Sequence, residues 1–146
     1  MSELKISDLS VGDWVMYGGR PKKVGVIDLY KNNTDDARVG FLVHKQSNGW
    51  HRVHYHNIEV FAPIPITPEI LEANGMKFIE MDEEDGYTLY GNESVTVCAK
   101  HSSDLYSVAL PLFSGVVRFV HQLQHALRLA GIDKEIELQQ NKTVKL

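Results

Sequence analysis

Residues 116–130, VVRFVHQLQHALRLA, separate two kinds of chemistry when wound at about 100° per residue. Val116, Phe119, Val120, Leu123, Ala126, Leu127 and Ala130 fall within one arc of about 120°, whereas Arg118, His121, His125 and Arg128 gather within about 80° on the other side. The spacing predicts a C-terminal amphipathic helix whose Phe119/Val120/Leu123/Leu127 stripe docks on a sheet and whose basic stripe faces solvent. Because a helix holds side chains at fixed spacing, Arg118, His121, His125 and Arg128 are the candidate binding residues for a macromolecular partner.

Upstream of that segment, short β-rich runs alternate with turn residues. Val95, Val97 and Ala99 alternate with Thr96 and Cys98, as in a strand with one covered face. Runs at 76–81, 87–90, 94–100 and 105–112, joined through Asp85-Gly86, Gly91-Asn92 and Ser102-Ser103-Asp104, predict an antiparallel meander under the terminal helix. Before it, Thr67-Pro68 and Asn74-Gly75 bracket a short helix from Pro68 to about Ala73, with threonine as N-cap, proline at the first helical position and a stop tolerant of left-handed geometry.

The first 62 residues contain strand-like runs at 9–17, 20–30, 39–45 and 50–54. They turn at Gly18-Gly19 and Ser47-Asn48-Gly49 and are interrupted by the polar loop 31–36. Val24, Val26 and Leu29 are the expected inward residues of the second run. Such close spacing predicts a small SH3-like β-barrel. The resulting expectation is an α+β protein: residues 1–62 form the barrel, and 63–146 form an α+β section of helix, meander sheet and amphipathic terminal helix, all packed as one compact unit.

The net charge is −4, and it is uneven: residues 1–62 carry eight basic and seven acidic side chains, residues 63–146 seven and twelve. That balance opposes a whole-surface attraction to nucleic acid or anionic lipid. A lone cysteine, Cys98, excludes an intramolecular disulfide and, with no apolar leader at 1–5, points to the cytoplasm. No apolar run reaches the length of about 20 residues that a spanning helix needs, so no membrane association is expected.

Several anchors together resemble an uncharacterised family of small proteins found in gut Bacteroidetes bacteria and their phages or mobile elements. They are Asp8-Leu9 with Gly12-Asp13-Trp14-Val15, Ile64-Pro65-Ile66-Thr67-Pro68-Glu69-Ile70-Leu71 with Asn74-Gly75, and Phe119-Val120-His121-Gln122-Leu123-Gln124 followed by Gly131 and Glu137-Leu138. His125 stands where that family has asparagine. The resemblance implies architecture and a phage or mobile-element origin; it brings no catalytic residue, cofactor or activity.

The chemistry-bearing clusters are incomplete. His121 and His125 have the four-residue spacing of a helical zinc site, but Gln122 stands where a metalloprotease motif puts its glutamate, and two ligands do not hold a metal unless His101 or Asp104 joins them. His54 and His56 share a side of one strand, with His51 and Tyr55 nearby, without established convergence. Lys22 and Lys23 with Trp14, Tyr17 and Trp50 could form a basic aromatic surface for single-stranded nucleic acid, although core packing of the tryptophans competes with it. Residues 81–86 lack the spacing of a calcium loop, and no phosphate-binding glycine motif occurs. The leading expectation is a non-enzymatic accessory or protein-interaction protein without metal or cofactor. The alternatives are a nucleic-acid-binding module using the barrel and a metal-dependent hydrolase at His121 and His125.

Overall fold

The computed structural model describes residues 4–28, 38–45 and 51–138. They divide between two compact units, Met1–Ile64 with Leu138–Leu146, and Pro65–Glu137. The described chain is mostly β: two antiparallel sheets dominate, and the two α-helices have only six and ten residues. This corrects the α+β expectation.

In the first unit a one-turn 3-10 helix, Ile6–Asp8, precedes β1 (Trp14–Tyr17), β2 (Arg20–Asp28), β3 (Arg38–Lys45) and β4 (His51–Asn57), paired in that order. Gly18 and Gly19, at φ of 60° and 79°, supply the two left-handed positions of the β1–β2 turn. Leu4, Leu9, Val15, Val24, Val39, Phe41, Ile58 and Phe61 form the core, flanked by Ile6, Tyr17 and Ile27. A bulge between Val24 and Val26 advances the register by one residue, so Ile27 rather than Val26 returns to the core. The predicted loop at 31–36, the turn at Ser47-Asn48-Gly49, Leu29 and Trp50 lie outside the described residues.

The predicted SH3-like barrel is also corrected, because no closing ladder joins the described strands. After a second 3-10 turn, Ile58–Val60, the chain makes one isolated bridge between Ala62 and Met16 on the free edge of β1. Among the described residues the pairing stops at this bridge and does not lengthen into a strand.

The second unit holds α1 (Pro68–Ala73), then β5 (Lys77–Asp82), β6 (Tyr87–Gly91), β7 (Thr96–Lys100), β8 (Tyr106–Ala109) and β9 (Ser114–Val117) as a five-stranded meander, then α2 (Val120–Leu129). Thr67 Oγ1 accepts the Ile70 N–H at 3.2 Å and Pro68 opens α1, as the capping signals require. Tyr90, Val97, Val108, Tyr106 and Val117 lie on one face of the sheet and are buried. Across this face Tyr106 donates its hydroxyl to the Ile66 carbonyl at 3.0 Å; α1 contacts β5 and α2 contacts β9.

The terminal helix is shorter than its apolar periodicity suggests. Pro111 ends β8, Leu110 N donates to Phe113 O across a tight turn, and Ser114-Gly115-Val116-Val117 runs back along β8. Val116 and Val117 are β-branched and suit a strand, a preference that angular counting around a helix ignores. Phe119 becomes the N-cap residue, and Gln122 Oε1 accepts the N–H groups of both Arg118 and Phe119.

Candidate interaction surface

The four basic-stripe residues do not share one solvated helical face. Arg118 precedes α2, its Nε 2.7 Å from Asp104 Oδ2, with the guanidinium over the Phe119 ring at 5.1 Å. Both partners of that ion pair are well exposed, so it contributes about 0–1 kcal/mol. His121 is turned inward, 3% exposed, with its ring stacked on Phe119 at 6.0 Å and edge-on to His125 at 5.9 Å. Arg128 Nη2 lies 3.2 Å from Glu135 Oε2. His101, considered as a third ligand, meets Thr88 Oγ1 at 2.8 Å instead, and Asp104 is held by Arg118. Among the described residues no three His, Cys, Asp or Glu side chains gather to hold a metal ion.

The first unit brings His54 and His56 to one face, opposite Phe41 and Val39. His56 stacks on Tyr17 at 4.5 Å, His54 tilts against Phe41 at 5.8 Å, and Lys22 Nζ lies over the Phe41 ring at 5.2 Å. These rings spend their faces on one another. Trp14 is 2% exposed, with Lys23 Nζ 5.7 Å from its ring centroid. An open stacking platform for bases would need such rings to be free, and Trp50 lies outside the described residues.

The second unit presents a different surface. On the sheet face opposite the buried one, Leu89, Cys98, Ser107 and Val116 stand in register across β6, β7, β8 and β9. Val116 is 62% exposed. Thr96, Ala109 and Ser114 form the neighbouring row, and their small side chains leave an open, shallow depression of about 450 Å³ with Cys98 in its floor. Leu112 and Phe113 project at the β8–β9 turn beside it.

At the edge of the sheet, Phe78, Ile79 and Met81 of β5 are 56%, 54% and 51% exposed. A bulge between Phe78 and Glu80 sets Phe78 opposite Tyr90 and Met81 opposite Thr88, so both lie on one face; Lys77, Glu80 and Asp82 lie on the other, opposite Gly91, Leu89 and Tyr87. The acidic face has an electrostatic signature. Glu80 first, then burial, then Asp82, Asp85 and Cys98, raise the Tyr87 hydroxyl above the ordinary tyrosine value. In the 82–85 loop, Asp82 Oδ1 accepts the Asp85 N–H at 2.9 Å, a turn cap rather than a calcium ligand arrangement.

The sequence reading missed this edge. Its legible trace was the adjacent pair Phe78-Ile79, which breaks strict alternation and marks the bulge. Comparison with family models, curated proteins and solved structures finds no match for the chain. Among the described residues, no helix is long and apolar enough to cross a membrane.

Proposed function

We propose that the chain is a cytoplasmic, non-enzymatic protein-interaction protein of phage or mobile-element origin, which binds through the sheet of its second unit. The observation that carries this reading is the cluster of exposed large apolar side chains at the β8–β9 end of that sheet: Val116 in the Cys98 row, with Leu112 and Phe113 at the adjoining turn. Soluble domains seldom expose contiguous apolar surface without using it. A shallow, open depression fits a broad protein surface better than a small ligand, which takes a concave site that buries most of its area. The origin rests on the resemblance in 64–75 and 119–124, and the compartment on the single cysteine.

Affinity capture with the wild-type chain and with Val116→Asp plus Leu112→Asp tests the reading. Both positions are exposed, so the variant keeps its thermal transition within a few degrees. A protein retained by the wild type and lost by the variant supports the proposal. Identical retention by both, or salt-sensitive capture of nucleic acid in place of protein, overturns it.

A further inference from the structure

β5 is one of the two edge strands of the second unit's sheet, and its six residues are complementary to themselves. Hydrogen bonds on β6 show where the main chain of β5 points. Gly86 O accepts from His101 N and Asn92 N donates to Val95 O, so the even-numbered residues between them turn their amide and carbonyl groups toward β7. Thr88 and Tyr90 therefore make non-hydrogen-bonded pairs with their β5 partners Met81 and Phe78. The N–H and C=O groups of Phe78 and Met81 face the open edge. In a regular strand, residues three apart would point to opposite edges; the one-residue bulge brings these two to the same one.

We infer that two copies of the chain pair through β5, antiparallel about a twofold axis between Ile79 and Glu80. This rests on reading the second unit as an interaction module, and it names a second copy as partner. In that register Phe78 faces the partner's Met81, and each such pair exchanges two main-chain hydrogen bonds because both residues present their groups outward. The same twofold sets Lys77 against the partner's Asp82, an opposite-charge pair made twice. Faces agree as well, since the apolar pairs fall on one side of the joined sheet and the ionic pairs on the other. Asp82 Oδ1 caps its own turn, which leaves Oδ2 for the lysine. Bulges and edge charges commonly blunt a strand against pairing; here their placement makes the edge match its own copy. A six-residue pairing is at the small end of specific interfaces, so the dimer is weak and its population depends on concentration.

Sedimentation equilibrium of the full chain, up to about 0.5 mM, tests this against the weak end of such interfaces. The wild type should show a monomer–dimer equilibrium. Lys77→Asp places like charges at both ionic pairs and should weaken dimerisation at least about tenfold. Asp82→Lys should do the same, and an equimolar mixture of the two single variants should recover association, since acidic and basic edges then face each other. That recovery also guards against a misfolded single variant. A wild-type chain that stays monomeric overturns the inference and assigns the bulge and charges to blunting. So does a dimer indifferent to both variants, which forms elsewhere. Neither result touches capture of a partner by the Val116 face, so the two readings fail separately.

Discussion

Gln124 accepts the Ile136 N–H at 2.6 Å through its Oε1, both groups buried, and so ties the middle of α2 to the extended chain that follows it. Asn74 does the same one residue later: its Oδ1 takes the Glu137 N–H at 2.8 Å while its Nδ2 donates to Glu137 O and Ile70 O. Two buried amides thus hold a segment that has no strand or helix of its own, and Ile136 packs there at 1% exposure. The glutamines of 120–124 have separate tasks, Gln122 capping α2 and Gln124 clamping the tail.

Gln124→Met keeps the volume and removes the acceptor, leaving the buried Ile136 N–H without its side-chain partner. The expected loss is about 1–3 kcal/mol in urea unfolding. Unchanged stability would show that the clamp is dispensable.

Leu123 is wholly buried on the inner side of α2. Leu123→Ala should cost about 2–5 kcal/mol, from lost transfer energy plus the cavity left behind. A loss below about 1 kcal/mol would mean that the helix is loosely docked.

Asp13 is fully buried, and its Oδ2 accepts the Ser10 N–H at 2.8 Å, closing the turn before β1. Asp13→Ala should therefore destabilise by about 1–3 kcal/mol, whereas Asp13→Asn retains an acceptor and should lose less. Equal losses for the two would remove the turn hydrogen bond as the cause.

Burial, followed by Tyr90, Glu69 and Asp104, raises Tyr106 above the ordinary tyrosine value. The folded state then holds its phenol proton more tightly than the unfolded chain does. Its contribution is fully present below about pH 10 and is lost as pH climbs from there through the folded value. Tyr106→Phe, which also removes the hydrogen bond to Ile66 O, should flatten the alkaline limb of the stability curve. An alkaline limb identical to that of the wild type would contradict this.

Local signals in the sequence were legible where one residue type decides one geometry. Thr67-Pro68 opens α1 and Gly18-Gly19 turns β1 into β2, because capping and positive φ are local demands. Features set by register were not. The bulges at 24–26 and 78–80 each shift every later side chain to the other face; the adjacent pair Phe78-Ile79 is a trace of the second, but the unbroken alternation of Val24 and Val26 conceals the first. Val116 fitted a helical stripe by angle yet entered β9 with Val117, since pairing with Ser107 and Tyr106 outweighs a weak local preference. The basic stripe dissolved with that change: Arg118 left the helix, and the rotation set by Val120 and Leu123 carried His121 inward. The barrel expectation assumed a further ladder where the described residues make the isolated Ala62–Met16 bridge, a matter of tertiary pairing that strand spacing does not report.

Main-chain hydrogen exchange at Phe78 and Met81 tests the edge pairing at the bonds themselves. The amides of these two residues face the open edge of β5, so in dilute solution they should exchange rapidly, and their protection should rise as the protein is concentrated and fall again in Lys77→Asp. Amides of β6 and β7, bonded within the sheet, should hardly change. Exchange at Phe78 and Met81 that is the same in dilute and concentrated protein would contradict pairing of two copies through this strand.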